Sequence, residues 1–150
     1  MIHVALYQPA IPPNTGNIAR QCVGMNAKLH VIGPIVFDIS DHSAKRAGLD
    51  YWKDLNYQYH DSPEDFLNWL GSRAPWLITK FGPSRFDQPP YADEDILIFG
   101  NENTGLPEAW HKKWAQRRVY IPMPGKVRSY NLSNACAIVL AHAHAKAELF

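Results

Sequence analysis

The sequence predicts an α/β fold, an open and mostly parallel sheet with helices on both faces. Three observations carry this expectation. Apolar runs of strand length recur at 2–7, 28–33, 76–80, 96–100 and 118–121. Several intervening segments open with cap residues or prolines and then read as helices. The first strand, helix and strand fit within residues 1–33, the βαβ unit from which parallel sheets are built.

Taken in order, the run 2–7 ends at Gln8-Pro9, and a proline-stiffened loop leads to Asn14. Asn14 suits the cap of a helix running to about Met25, with Ile18, Cys22 and Met25 on one face. Residues 28–33 form the second strand, closed by Gly33-Pro34. Residues 41–54 are polar and fit a short helix carrying Lys45, Arg46 and Lys53, and 57–60 fit a weak strand. Ser62-Pro-Glu-Asp65 combines a cap, a proline at the first helical position and acids in the first turn, starting a helix that stops at Gly71. Residues 81–95, broken by Gly82-Pro83 and Pro89-Pro90, are expected as a loop over one face of the sheet. The run 96–100 is the strongest strand and is placed centrally. A helix at 107–114 and a strand at 118–121 follow. The last helix spans about 131–148, capped by Asn131 or Ser133, with Ala135, Ala137, Ala141, Ala143 and Ala145 keeping its surface low.

At 150 residues the chain is expected to form one domain, 1–150, with room for a substantial core. Its 46% hydrophobic and 19% charged residues are ordinary for a soluble globular protein, and no run approaches the roughly 20 apolar residues of a membrane helix. The first residues carry no basic leader. Cys22 and Cys136 sit in apolar helical patterns and fit buried thiols in a reducing, cytoplasmic compartment. A net charge of +1 does not announce a nucleic-acid partner, which would have to be met by a local basic patch. There is no G-x-G-x-x-G, Walker or G-x-S-x-G motif. The histidines lack metal-ligand spacing: His142 and His144, two apart on a helix, face different ways, and no metal is expected.

Three stretches stand out from this frame. Residues 12–20 are a stiff loop and a helix, and they place Arg20 about one turn in, near the sheet edge where α/β proteins bind ligands. Residues 99–107, Phe-Gly-Asn-Glu-Asn-Thr-Gly-Leu-Pro, follow the strongest strand. A simple turn does not need Glu102 between two glycines, whereas a carboxylate there could meet a hydroxyl, a ribose or a cation. Residues 121–140 run from strand through a Pro/Gly loop to Arg128-Ser-Tyr-Asn-Leu-Ser-Asn134; capping accounts for one or two of these polar residues but not the string.

Together, Asn14-Thr-Gly-Asn-Ile-Ala-Arg20, Phe99 to Pro107, and Ile121-Pro-Met with Ser129-Tyr-Asn-Leu-Ser-Asn-Ala135 resemble the three motifs of the SpoU branch of the SPOUT RNA 2′-O-methyltransferases, in the same order and spacing. Arg46-Ala-Gly-Leu-Asp-Tyr-Trp52 is similar to a segment of the tRNA wobble-position members. The resemblance implies a C-terminal deep trefoil knot, a homodimer formed through the first and last helices, and S-adenosylmethionine as cofactor. It places cofactor contacts at Ile78, Gly100, Ile121, Ser129 and Leu132, with Thr79, Glu102 and Met123 lining the site. It implies methylation of the ribose at tRNA position 34, with Arg20, Asn14 and Asn131 at the reacting centre. A guanidinium stays protonated, so Arg20 is expected to grip phosphate and stabilise the developing alkoxide. RNA contacts are expected from Arg20, Lys45, Arg46, Lys126 and Arg128, with Lys53, Lys112, Lys113, Arg117 and Arg118 as further basic residues. Ala141 and His142 stand where such enzymes often carry a tyrosine. Two other readings remain open: methylation at another tRNA position or on ribosomal RNA, and a non-catalytic RNA-binding module of the same fold.

Overall fold

Apolar strands separated by amphipathic helices assemble into one sheet because each strand can bury both faces only between two helical layers. A computed structural model of the chain describes residues 1–38 and 49–150. The strands are β1 (His3–Tyr7), β2 (Lys28–Ile32), β3 (Tyr57–His60), β4 (Trp76–Ile78), β5 (Ser84–Arg85), β6 (Ile96–Phe99) and β7 (Arg118–Tyr120). They form a seven-stranded sheet in the order β3-β2-β1-β6-β4-β7-β5. Every strand pair in it is parallel. β6 is the middle strand, as its apolar sequence predicts.

Among the described residues four α-helices accompany the sheet: α1 (Pro12–Gly24), α2 (Pro63–Leu70), α3 (Glu108–Lys113) and α4 (Leu132–Lys146). Alternate residues of a strand face opposite sides, and the core divides accordingly. Val4, Leu6, Leu29, Val31, Leu97, Phe99 and Val119 pack with Ile18 and Cys22 of α1 and Cys136, Val139 and Leu140 of α4. Ala5, Ile32, Leu77, Ile96 and Ile98 pack on the other face with Phe66 and Leu70 of α2 and Trp110 of α3.

The structure corrects the expected elements in several places. α1 begins at Pro12, and its N-cap Ile11 makes no side-chain cap bond, so Asn14 lies inside the first turn and is not the cap. The expected loop 81–95 contains the edge strand β5, whose partner β7 lies more than thirty residues on. Most of the expected helix 41–54 lies outside the described residues; Leu49–Asp54 is a 3₁₀ turn. α3 ends at Lys113 and a 3₁₀ turn, Ala115–Arg117, feeds β7. α2 follows its predicted signals, with the Ser62 hydroxyl accepting from Asp65 N at 3.1 Å and Gly71 at the C-cap. Asn131 is the cap of α4, accepting from Ser133 N.

Candidate functional site

The three distinctive stretches meet at the C-terminal edge of the sheet. α1 follows β1, residues 100–107 follow β6, and residues 121–131 follow β7. A parallel sheet presents all its strand ends and their loops on this one edge. Ile78 of β4 pairs with Phe99 and with Val119, so Ile78, Gly100 and Ile121 leave adjacent strands at nearly the same level.

A string of hydrogen bonds joins the stretches. The Glu102 carboxylate accepts from Ala10 N at 2.9 Å, Ile11 N at 3.0 Å and Asn14 Nδ2 at 3.2 Å. Asn14 Oδ1 accepts from Asn131 Nδ2 at 3.0 Å. Asn131 Oδ1 accepts from Ser133 N at 2.9 Å and from Ser133 Oγ at 2.6 Å. A second tie runs from Gln21 Nε2 to Ser133 O at 2.8 Å. Asn14 is only 4% exposed, so its amide is committed on both sides. This is why it does not cap α1: a partner 88 residues away outcompetes the local bond.

Glu102 was expected to line a cofactor pocket. Its two oxygens take the free N–H groups of Ala10 and Ile11 that lead into α1, and a negative charge at a helix N-terminus is favourable. It anchors α1 to the β6 loop. That loop is a tight turn in which Asn101 and Gly105 exchange two backbone bonds of 3.0 Å. Gly105 has φ +72°, and a Cβ on Gly100 would lie 2.7 Å from the Gly105 carbonyl carbon, so both positions need glycine. Asn101 locks the turn, donating to Gln8 O at 2.6 Å and accepting from Asn103 N and Thr104 N.

Around this frame, Ile78, Ile121 and Leu132 are half-buried and pack on the core. Thr79, fixed by Thr79 N donating to Val119 O at 2.9 Å, and Met123 are half-buried, and Ser129 is exposed. Ile78, Thr79, Ile121 and Met123 sit at or just past the strand ends on this one edge. Lys126 and Arg128 are exposed beside it, while Lys45 and Arg46 lie outside the described residues. Arg20 is exposed but stands eight residues beyond Pro12, about 12 Å along the helix. It is therefore farther from its own sheet edge than the single turn expected. Two of the further basic residues are half-buried and bonded within the chain. Arg117 stacks 3.7 Å from the Trp76 ring centroid and donates to Ala74 O and Pro75 O, and Arg118 donates to Ala115 O.

Sequence reasoning missed one further constellation. His3 Nδ1 lies 2.9 Å from His30 Nε2, and His30 Nδ1 lies 2.9 Å from His60 Nε2, all three rings being buried. His3 Nε2 reaches Glu94 at 3.4 Å. Since the carboxylate accepts, His3 carries its proton on Nε2; His30 and His60 must then donate through theirs, and all three rings can be neutral. Burial lowers all three pKa values, that of His30 to about 2. The available signal was a histidine in each of three expected strands. His142 and His144 diverge as expected: His142 packs edge-on to Phe86, and His144 bonds Leu140 O and Met25 O.

The model of the SpoU rRNA Methylase family matches residues 1–141. A tRNA (cytidine(34)-2′-O)-methyltransferase of Methylovorus glucosotrophus is 40% identical over 144 residues, covering 95% of this chain and 94% of that protein. A solved structure concerned with 2-OH methylation of C/U34 on tRNA superposes with a TM-score of 0.93 at 37% identity, covering 100% of this chain and 98% of that one. The SpoU methyltransferase AviRb from Streptomyces viridochromogenes, in complex with AdoMet, gives a TM-score of 0.86 at 25% identity, covering 99% of this chain and 61% of that one.

Proposed function

Since this chain belongs to the SpoU rRNA methylase family, we propose that it transfers the methyl group of S-adenosylmethionine to the ribose 2′-oxygen of nucleotide 34, a cytidine or uridine, in tRNA. The observation that carries this reading is the string Glu102–Asn14–Asn131–Ser133, which draws all three motif segments into one site. The C34 and C/U34 specificities of the similar proteins support the substrate, and AdoMet in the AviRb complex supports the cofactor.

The residues present fit that cofactor. Adenine needs an apolar slot and backbone partners rather than charged side chains, and half-buried Ile78, Ile121 and Leu132 beside the Gly100 turn provide this. Thr79, Met123 and Ser129 border the same slot. When bound, S-adenosylmethionine supplies an electrophilic methyl group on a sulfonium. The protein's own contribution is alignment, which can supply roughly 7–11 kcal/mol in the best cases. Asn14 and Asn131 keep α1 and the residues before α4 at fixed spacing. Glu102 acts through them as an anchor. Arg20, exposed on α1, is assigned the grip on phosphate and the stabilisation of charge on the ribose oxygen.

Further features belong to the same reading. β7 lies between β4 and β5 although it comes later in the chain, and residues 79–83 cross it. This supports the C-terminal trefoil knot. A homodimer through α1 and α4 fits Ile138 of α4, 36% exposed. Exposed Lys126 and Arg128 extend the RNA surface, and Lys45 and Arg46, outside the described residues, are assigned to RNA contact by their charge alone. The domain spans 1–150, and a cytoplasmic site of action suits buried free thiols at Cys22 and Cys136. No helix among the described residues is long and apolar enough to cross a membrane.

Ribose-methylation mapping of total RNA from cells with and without the protein tests the proposal. Loss of signal at tRNA position 34 is expected; loss in ribosomal RNA, or none anywhere, would refute the substrate assignment. Purified Arg20→Lys should bind S-adenosylmethionine normally and lose most turnover. Near-normal turnover would remove Arg20 from the mechanism.

A further inference from the structure

The bridge from β4 to β5 spans only residues 79–83, and it crosses β7 on the way. It is held at both ends. Thr79 N bonds Val119 O, and the Thr79 hydroxyl donates to Phe81 O. A Cβ on Gly82 would lie 2.4 Å from Arg118 O, so the bridge rests directly on the β7 backbone. Beyond it, Phe86 N donates to Tyr120 O at 2.8 Å. At the middle of this fastened bridge stands Phe81, 80% exposed, between exposed Lys80 and half-buried Gly82.

A single exposed apolar side chain is common and by itself means little. Phe81 differs by its setting. It is three residues past Ile78, on the edge where Ile78, Gly100 and Ile121 border the proposed cofactor slot. A cation precedes it, and its backbone is already fixed, so little ordering is lost when a flat partner lands on it. An aromatic face next to a cation matches an unstacked base and its phosphate, the chemistry by which proteins hold non-helical RNA.

Resting on the reading above, we infer that Phe81 is the stacking platform for a nucleobase at or beside the methylated nucleotide, with Lys80 taking an adjoining phosphate. The base is held by its face and not by its edges, so Phe81 positions the RNA without choosing its sequence. The ribose is thereby presented to the strand ends from the β5 side of the sheet.

The test uses the full chain with Phe81→Ala, Phe81→Trp and Lys80→Ala. Measured are binding of an anticodon stem-loop RNA, steady-state methylation of tRNA, calorimetric affinity for S-adenosylmethionine, and mass by light scattering. Phe81→Ala should weaken RNA binding and raise the tRNA KM roughly ten-fold, as the loss of one stacked base does. Its cofactor affinity and mass should be unchanged. Phe81→Trp should match the unaltered protein, and Lys80→Ala should flatten the salt dependence of RNA binding. Unchanged RNA affinity in Phe81→Ala overturns the inference. So does lost cofactor affinity, which would place Phe81 in the cofactor pocket, or altered mass, which would place it between copies of the chain. If the unaltered protein methylates no RNA, the functional reading fails, and the RNA-binding comparison still decides the stacking role on its own.

Discussion

Two strings of side chains, each starting at a carboxylate, run through this protein and do different things. One is Glu102–Asn14–Asn131–Ser133, which ties three loop and helix segments at the C-terminal edge of the sheet. The other is Glu94–His3–His30–His60, which crosses β1, β2 and β3 diagonally on the face covered by α2. The middle links of the first are amides, which do not titrate, and it lies beside exposed residues such as Ser129 and Arg128. The second is built from buried imidazoles stacked with Trp69, whose ring centroid lies 4.3 Å from that of His30. The amide links of the first string hold their geometry whatever the pH; the imidazole links of the second do not.

Breaking the second string should have the larger effect on stability. His30→Leu leaves Nδ1 of His3 and Nε2 of His60 buried without partners. The expected cost is about 3 kcal/mol, roughly 10 °C in Tm for a chain of this size. Thermal unfolding measures it, and turnover at low temperature should survive. Asn14→Ala should do the reverse. Turnover should fall about 100-fold through misplacement of α1 against the 121–131 segment, with a smaller change in Tm.

Acid should separate the strings further. Each of the three imidazoles binds its proton more weakly in the folded chain than in the unfolded one. As pH falls, the unfolded chain takes up protons first, so stability is fully present above about pH 6.5 and is lost progressively below it. Between pH 6.5 and 5.5 the loss should be about 1–2 kcal/mol by denaturant titration, and His30→Leu should show a shallower decline. The smallest effect is expected from Ser62→Ala. It removes the cap of α2, the helix that lays Phe66 and Trp69 over the histidines, and should cost about 1 kcal/mol with no change in turnover.

The same contrast explains what could be read from the sequence. Local signals carried most of the fold. The apolar run at 96–100 placed β6 at the centre, and Ser62-Pro63 with Gly71 bounded α2 at both ends. The two-residue β5 escaped because Ser84 and Arg85 have no apolar period and form a strand only against β7. Asn14 was misassigned because capping is a local rule, while its actual partners, Glu102 and Asn131, are supplied by the fold. The motif segments were legible as a set, yet the anchoring by Glu102 was not, since nothing near it in sequence points to Ala10 and Ile11. The histidine string was hidden for a related reason. Each histidine reads as an isolated polar residue of its own strand or, in β3, as one of several, and only inter-strand register puts the three in contact.

A double-mutant cycle on kcat/KM for tRNA methylation, with Asn14→Ala and Asn131→Ala, tests most directly whether the three segments work as one site. If they do, each single change costs about 100-fold and the double change costs little more than either alone, because both break the same link. Independent effects that multiply to about ten-thousand-fold would mean that the two amides act separately, and would contradict the shared site.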